Sequence, residues 1–264
     1  MLGAIYGDIA GSVYEFRNRK SKDAPLFIKG SRFTDDTVMT IAVADALMQT
    51  KDAAAHLDDF KNNLIASMHR HGKAHIRAGY GSRFLDWIFY GCTESYYSYG
   101  NGSAMRVSPV AWYATTPEDA ILLAKASAEV THDHPEGIKG AVATAAAIYL
   151  AKEGAYQEDI KAYIHKYYYP IDFTLDEIRP HYRFNETCQG SVPQALACFF
   201  ESKSFEDAIR NAISIGGDSD TIAAIAGSVA EAYYGMTAEQ KAIALAYLSE
   251  DLQKVALRFQ KIRW

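Results

Sequence analysis

The turn that decides the fold is Ile215-Gly216-Gly217-Asp218-Ser219-Asp220-Thr221. Apolar residues recur at helical spacing on both sides of it, which predicts one helix from Phe205 to Ile213 and another from Ile222 to Tyr233. The two glycines permit a sharp change of direction between these helices. The chain therefore turns here from helix to helix, and not from strand to helix.

The polar residues of this turn have two interpretations. Asp218, Asp220 and Thr221 stand at a helix start, where Asp and Thr are common caps, so an ordinary capping turn is the simpler one. Against it, no Lys or Arg occurs between Arg210 and Lys241 to neutralise the carboxylates. Hard oxygen ligands crowded in this way also suit Mg²⁺, Mn²⁺ or Ca²⁺. A partner cluster elsewhere in the chain would favour the metal.

Such a cluster occurs near the other end of the sequence. Thr34, Asp35 and Asp36 open a predicted helix that runs to about Leu47, and again a hydroxyl and two carboxylates compete to cap one helix. If the fold brings the two clusters together, four aspartates would repel one another unless a cation intervenes. A binuclear Mg²⁺ or Mn²⁺ site is the natural inference.

Composition indicates an ordinary globular protein. The 264 residues are 49% apolar and 22% charged, and the net charge of -5 with no basic stripe argues against a general nucleic-acid binder. No apolar run reaches membrane-spanning length, and the N-terminus lacks the basic segment of a signal peptide. Three scattered cysteines fit a reducing compartment. We expect a soluble cytoplasmic protein.

The remaining pattern is helix after helix. No alternating β-branched run is long enough for a sheet, and no linker or repeat divides the chain, so we predict one all-α domain over residues 1–264. Gly3, Gly7 and Gly11 share one face of the first helix and would allow a neighbouring helix to approach closely. Near the other end, Ser191 is the expected N-cap of a helix with Pro193 in its first turn.

Two further segments could bind a ligand. Residues 98–109 carry Gly100-Asn101-Gly102-Ser103-Ala104-Met105, which could be a hairpin turn but better fits a loop whose free amides face an anion. His132 and His134 have zinc-like spacing but no third ligand nearby. A neutral histidine that hydrogen-bonds a ligand hydroxyl, or a histidine in the core or in solvent, also fits.

Taken together, these motifs resemble the ADP-ribosylglycohydrolase family, the group that includes the dinitrogenase reductase-activating glycohydrolase. The resemblance covers nearly the whole chain and lies in the joint order of its marks: Gly7-Asp8-Ile9-Ala10-Gly11 with Glu15, Phe33-Thr34-Asp35-Asp36-Thr37, Gly79-Tyr80-Gly81, Gly100-Asn101-Gly102-Ser103-Ala104-Met105-Arg106, Thr131-His132, and Gly216-Gly217-Asp218-Ser219-Asp220-Thr221.

The resemblance implies an all-α fold and a role for each matching position. The residues matching the ligands of two Mg²⁺ or Mn²⁺ ions are Thr34, Asp35, Asp36, Asp218, Asp220 and Thr221. The residues matching the ADP-ribose cleft are Gly79, Gly100, Asn101, Gly102, Ser103, Ala104, Met105 and His132, with the diphosphate on the amides of residues 100–105. Glu15 matches an acidic residue that acts on the scissile bond.

The implied reaction is hydrolysis of the bond between ADP-ribose and a modified acceptor, on a protein or a small molecule. Glu15, or an aspartate of the metal clusters such as Asp36, would be the general base; metal-bound aspartates are poor acids, which favours Glu15 as the proton carrier. Arginine is the default acceptor, and serine, O-acetyl and nucleobase linkages are alternatives. Two other classes fit less well: a silent ADP-ribose-binding homologue, which should have lost an aspartate, and a phosphatase with a nucleophilic Asp at a strand end. We expect a monomer.

Overall fold

Helices form the whole framework of the protein. The structure is a computed structural model of the chain, and it describes residues 1–262. Within these residues the only β pairing is an isolated bridge between Gly100 and Thr187. The helices are α1 Leu2–Gly11, α2 Asp35–Gln49, α3 Leu57–Ala74, α4 Ser82–Tyr90, α5 Gly102–Met105, α6 Ser108–Tyr113, α7 Pro117–Glu129, α8 Pro135–Lys152, α9 Gln157–Tyr167, α10 Leu175–Ile178, α11 Cys188–Phe200, α12 Phe205–Ile215, α13 Ser219–Tyr234, α14 Ala238–Ala246 and α15 Glu250–Lys261. The predicted all-α class is confirmed.

Helix α13 is the centre of the bundle. It packs against α1, α8, α11 and α12, and its residues from Ser219 to Ala230 are all buried. Helix α1 is buried along its entire length and lies against α13. Apolar residues on several faces of both helices are typical of helices that lie inside a protein rather than on its surface. Because α13 begins at the decisive turn, that turn lies in the interior.

The glycine face of α1 makes the contact with α13 possible. A Cβ atom built on Gly7 would lie 2.1 Å from the carbonyl oxygen of Ala223, far inside any allowed contact. The same row brings Gly3 against Gly227 and Gly11 against Ser219. The predicted close approach is therefore present, and its partner is the helix that follows the decisive turn.

One predicted helix start was wrong. Helix α11 begins at Cys188, with Thr187 as its cap, and Ser191 lies in the first turn. The Thr187 side chain accepts a hydrogen bond from the amide of Gly190, while the Ser191 hydroxyl donates back to the Thr187 carbonyl at 2.8 Å. Pro193 consequently lies inside the helix. Two hydroxyl residues four positions apart both suited capping, and the earlier one caps the helix.

A membrane-spanning helix is not found among residues 1–262: none of their helices combines the length and the apolar character that crossing a bilayer requires.

Candidate functional site

The two aspartate clusters meet in the structure. Helices α2 and α13 begin beside each other, and the hydroxyl of Thr221 donates to Asp36 at 3.1 Å across 185 residues of sequence. Carboxylate oxygens of Asp36, Asp220 and Asp8 lie within 4.8 Å of one another. A second group with the same spacing consists of Glu15, Asp218 and Asp220. Asp220 belongs to both groups and joins them into one acidic site.

Capping does not explain the decisive turn. Asp218 occupies the N-cap position of α13, yet its side chain makes no capping hydrogen bond. Instead it accepts a hydrogen bond from the side-chain amide of Asn101 at 2.7 Å. In the other cluster Thr34 does cap α2, through the amide of Asp36 at 3.3 Å. Asp220 Oδ1 also accepts an amide of the first turn of its helix, from Thr221 at 3.1 Å. Two of the six clustered side chains therefore bind first-turn amides, and the other four are available for another purpose.

Asp8 is a residue of the acidic site that the sequence analysis missed. It was quoted as part of the family motif, but no role was assigned to it. It is fully buried in α1 and accepts hydrogen bonds from the amides and hydroxyls of both Thr34 and Thr37. Through these bonds Asp8 fixes the start of α2 to α1. The available signal was a lone charged residue inside an otherwise apolar helix, a pattern that is rare without a function.

The site carries an excess of buried negative charge. Burial, followed by repulsion from neighbouring carboxylates, raises the pKa of Asp35, Asp36 and Asp220 well above the usual range. Burial also raises the pKa of Asp8 and of Asp218 to about 6, against the hydrogen bonds that they accept. None of the ion pairs within residues 1–262 involves any of these five side chains.

A divalent cation fits this donor set. Asp36 Oδ1 is buried and has no hydrogen-bond partner in the described part of the chain, which is costly unless a cation or water satisfies it. Carboxylate and hydroxyl oxygens are ligands that Mg²⁺ and Mn²⁺ prefer. A bound cation would also remove the repulsion that raises the pKa of these aspartates. The acidic residues therefore form a cluster that could hold metal.

Glu15 stands at the edge of this cluster. Its side chain is only partly buried, and burial together with the charge of Asp220 raises the pKa of Glu15 to about 7, although Arg32 opposes the shift. A carboxyl group with a pKa near neutrality can both give and accept a proton at physiological pH. The structure thus brings together a candidate metal site and a candidate acid–base group.

Gly79 approaches the cluster from the loop before α4. Its backbone φ of +117° is strained for residues with a side chain, and a Cβ there would lie 3.2 Å from Asp35 Oδ1. The neighbouring Tyr80 is buried, and its hydroxyl has no hydrogen-bond partner among residues 1–262. Glycine at position 79 therefore lets the chain pass directly over the aspartates.

A cleft of about 680 Å³ opens over the acidic cluster. This volume is in the range of sites for small ligands and cofactors. It is lined by thirteen of the fifteen predicted site residues: Glu15, Thr34, Asp35, Asp36, Gly79, Gly100, Asn101, Gly102, Met105, His132, Asp218, Asp220 and Thr221. The cleft also has aromatic and basic walls that the sequence analysis did not single out: Phe16, Arg32, Arg83, Phe84, Tyr96, Tyr99 and Phe184.

Two predicted binding residues point away from the cleft. Ser103 is fully buried and donates to the carbonyl of Gly137 at 2.7 Å, and Ala104 packs in the core.

Four backbone amides of the glycine-rich loop already form hydrogen bonds. The amides of Ala104 and Met105 donate to the carbonyl of Asn101. The amide of Gly100 donates to the Ser98 hydroxyl, and the amide of Asn101 donates to the Glu186 carbonyl.

Two amides of the glycine-rich loop are free. Of the six predicted positions, only Gly102 and Ser103 have amides without a hydrogen bond in residues 1–262. A short helix, α5, begins at this point and consumes the amides that follow. The surface that this loop can offer to an anion is therefore smaller than the sequence pattern indicated.

The zinc interpretation of His132 and His134 gains no support. Nδ1 of His134 accepts the amide of Glu136 as the cap of α8, and Nδ1 of His132 contacts the hydroxyl of Thr131. Within residues 1–262 the groups that could hold a metal consist of carboxylates alone. His132 lines the cleft, so the interpretation as a ligand-binding histidine fits its position.

The protein is helical, and the residues of its acidic cleft could hold a metal ion. A carboxyl group whose pKa is raised to about 7 lies at the edge of this cluster. These are the features of a metal-assisted hydrolase. The family model for ADP-ribosylglycohydrolase matches residues 1–262, and the chain belongs to that family. It is accordingly an enzyme of the hydrolase class that cleaves ADP-ribose from an acceptor.

Similar proteins agree with this placement. An ADP-ribosylhydrolase ARH3 of Mus musculus is 27% identical, over 89% of this chain and 83% of its own. An ADP-ribosylarginine hydrolase Tri1 of Pseudomonas putida is 26% identical, over 90% and 70%. An ADP-ribosyl-[dinitrogen reductase] glycohydrolase of Rhodospirillum rubrum is 26% identical, over 89% and 84%. A solved structure described as an ADP-ribosylglycohydrolase-related protein complex has the same fold, with a TM-score of 0.66 and 23% identity over 100% of this chain and 97% of its own.

Proposed function

We propose that this enzyme releases ADP-ribose from ADP-ribosyl-arginine on a protein, using two Mg²⁺ or Mn²⁺ ions. The observation that carries the proposal is the acidic cluster, with Glu15 at its edge, inside a cleft of nucleotide size. Among the similar proteins, the names of two refer to ADP-ribosyl-arginine and to ADP-ribosylated dinitrogen reductase. Arginine is therefore the default acceptor, and serine and O-acetyl-ADP-ribose are outcomes of the same test.

The residues proposed to hold the cations are Thr34, Asp35, Asp36, Asp218, Asp220 and Thr221. Within residues 1–262 Asp36 Oδ1 has no hydrogen-bond partner and these aspartates form no ion pair, and both observations support this set. Bound there, the cations would supply positive charge that holds the hydroxyls of the terminal ribose and makes water more acidic. Asp8 would hold Thr34 and Thr37 in position through the hydrogen bonds that it accepts from them.

Glu15 is the proposed proton carrier. Cleavage at the anomeric carbon leaves positive charge on the sugar, and a water molecule must lose a proton as it attacks. Glu15 is near enough to Asp218 and Asp220 to reach a water held at the cluster. Glu15 is outside the proposed ligand set, so its carboxylate can accept that proton, which the metal-binding Asp36 could not do while its oxygens are coordinated. Without cations the pKa of Glu15 is raised to about 7, chiefly by burial.

The rest of ADP-ribose is proposed to lie along the glycine-rich loop. The free amides of Gly102 and Ser103 are suited to a phosphate oxygen, since backbone N–H groups in turns bind anions. Asn101 connects this loop to the metal cluster through its bond to Asp218. Ser103 and Ala104 would contribute backbone atoms alone, because their side chains lie in the core.

The test is release of free ADP-ribose from three substrates: an ADP-ribosyl-arginine peptide, an ADP-ribosyl-serine peptide and O-acetyl-ADP-ribose, each with and without Mg²⁺. We expect metal-dependent release from the arginine peptide, lost in Asp35→Ala and Asp218→Ala. Faster release from serine or acetyl substrates would change the acceptor. Tight binding of ADP-ribose without turnover of any substrate would indicate a binding protein and overturn the proposal.

We also propose that the enzyme acts as a cytoplasmic monomer on ADP-ribosylated proteins or small molecules. The three cysteines are unpaired, in keeping with a reducing compartment. Sedimentation of the purified protein would test the monomer, and localisation of a tagged chain would test the compartment.

A further inference from the structure

A buried chain of polar side chains lies behind the glycine-rich loop. The Arg106 guanidinium is almost fully buried and donates through Nη2 to the Ser127 carbonyl at 2.8 Å and to Thr131 Oγ1 at 2.9 Å. Thr131 Oγ1 in turn lies 2.7 Å from Nδ1 of His132. No carboxylate within residues 1–262 forms an ion pair with Arg106. These contacts run in one direction, from the core towards the cleft.

The protons along this chain can be counted. A guanidinium group only donates, so Thr131 Oγ1 accepts from Arg106. The threonine has a single hydroxyl proton, and His132 Nδ1 is the acceptor within reach. If Nδ1 itself carried a proton, the hydroxyl proton of Thr131 would be buried without an acceptor, which is unfavourable. The arrangement therefore places the imidazole proton on Nε2.

Nε2 of His132 faces the glycine-rich loop. It lies 3.1 Å from the position that a Cβ of Gly102 would occupy and 3.6 Å from that of Gly100. His132 lines the cleft, and within the described residues Nε2 makes no hydrogen bond. Glycine at both positions leaves this N–H uncovered. A donor is thus directed at the place where a ligand would pass the loop.

The charges around His132 favour its neutral form. The charged groups that act on it are Arg106 and Arg83, and the ring of Tyr96 lies beside it with the ring centroids 6.0 Å apart. Burial, with the two arginines, lowers the pKa of His132 well below its ordinary value. A neutral imidazole has one donor and one acceptor nitrogen, so its tautomer decides which the ligand meets.

We propose that Arg106 and Thr131 are positioning residues that hold His132 in its Nε2–H tautomer, so that this N–H donates to an oxygen of ADP-ribose. The identity of the ligand in this proposal, ADP-ribose, rests on the proposed function. The tautomer itself is a property of the protein alone, so it can be measured whatever the enzyme hydrolyses.

The first experiment is ¹⁵N NMR of histidine-labelled protein, in which the ring nitrogen shifts report the tautomer, with His132→Gln used to assign the signal. We expect Nε2–H in the unmodified protein, a loss of that preference in Thr131→Val, and its return in Thr131→Ser. His134 is an internal control, since its Nδ1 accepts a backbone N–H that these variants leave in place. An Nδ1–H signal for His132 in the unmodified protein, or an unchanged signal in Thr131→Val, overturns the proposal. Should Thr131→Val fail to fold, the unmodified protein and Thr131→Ser still decide the tautomer.

The second experiment measures ADP-ribose binding by calorimetry. We expect binding to weaken about fivefold in Thr131→Val, as loss of one neutral hydrogen bond would cause, and to recover in Thr131→Ser. Equal affinity in Thr131→Val, with the tautomer altered, overturns the ligand contact. If the unmodified protein fails to bind ADP-ribose at all, the proposed function falls, and the NMR result separates that failure from an error in the tautomer.

Discussion

Asn18 and Gly217 exchange two hydrogen bonds across 199 residues of sequence. The side-chain amide of Asn18 donates to the Gly217 carbonyl at 3.0 Å, and the Gly217 amide donates to Asn18 Oδ1 at 2.8 Å. The same Asn18 amide group donates to the carbonyls of Tyr14 and Glu15. One side chain therefore fixes the backbone of Glu15 to the turn that carries Asp218 and Asp220.

Replacement of Asn18 by alanine tests this connection. We expect Asn18→Ala to reduce kcat roughly ten- to hundredfold, since small displacements of a catalytic group have effects of that size, and to leave ADP-ribose affinity nearly unchanged. Steady-state kinetics and calorimetry measure the two quantities. Asn62→Ala, on the exposed surface of α3, is the matched control and should match the unmodified enzyme. Full kcat in Asn18→Ala would contradict the positioning role.

Metal should stabilise the protein more strongly at higher pH. Burial raises the pKa of Asp8 and Asp218 to about 6, above the value of about 4 in unfolded chains. In the metal-free protein the contribution of these two carboxyl groups to stability is therefore greatest below pH about 4, and it is lost as the pH rises through 6, because ionisation is easier in the unfolded chain. A cation offsets the charge that develops.

Thermal unfolding in EDTA and in Mg²⁺ measures this effect at pH 5 and pH 8. At a concentration a hundred times Kd the metal contributes about 2.7 kcal/mol, which corresponds to a rise in Tm of roughly 5–10 °C. We expect that rise at pH 8 and a smaller one at pH 5. Samples with matched NaCl control for ionic strength. A rise of equal size at both pH values would argue against binding at the buried aspartates.

Asp220→Asn should have opposite effects with and without metal. Asp220 belongs to both carboxylate groups, and burial, followed by repulsion from Asp218 and Asp8, raises its pKa. Removing its charge relieves that repulsion, so we expect a higher Tm than the unmodified protein in EDTA at pH 8. In Mg²⁺ the metal-dependent rise should be lost. Asp23→Asn, in an exposed loop, is the control. A lower Tm in EDTA would mean that Asp220 is stabilised by a partner other than a cation.

The helical framework should be sensitive to a single methyl group at Gly7. Because a Cβ there would meet the Ala223 carbonyl, Gly7→Ala must separate α1 from α13. We expect a loss of about 1–3 kcal/mol in the free energy of unfolding, the usual effect of overpacking a core. Urea denaturation gives this value. Gly81→Ala is the comparison, since among residues 1–262 no atom outside the two chain neighbours lies within 4 Å of a Cβ at Gly81. An equal loss there would assign the effect to helix or loop propensity.

The fold and most of the site could be predicted from the sequence because both depend on repeated patterns. Helical periodicity located α12 and α13, and two clusters of like composition predicted that distant aspartates meet. Asp8 was missed because helical periodicity and the matching of clusters do not use a single carboxylate; its signal was the isolated charge in an otherwise apolar helix. The inward direction of Ser103 was missed because a four-residue helix is too short to reveal which side faces the core.

The aromatic residues at the mouth of the cleft could also not be predicted from the sequence. Phe16 and Phe184 stack with ring centroids 6.3 Å apart, although 168 residues separate them, and both lie in segments without periodicity. Pairing of such loops depends on how the helices before and after them pack, which composition and spacing do not specify. The choice of Thr187 over Ser191 as a cap has the same origin, since both hydroxyls satisfy the local rule.

The pH profile of Glu15→Gln tests the proposed acid–base group. Loss of a general base typically costs 10²- to 10⁴-fold, so we expect kcat to fall by at least about a hundredfold while ADP-ribose affinity changes little. In the unmodified enzyme kcat should rise with pH as Glu15 ionises, with the midpoint at or below pH 7, since bound cations lower its pKa from the value of about 7 found without them. That rise should vanish from the residual activity of Glu15→Gln. Glu186→Gln removes a carboxylate from the same cleft and should retain both kcat and the pH dependence. If Glu15→Gln kept the rise, the base would be a different group, and Asp36 would be the next residue to replace.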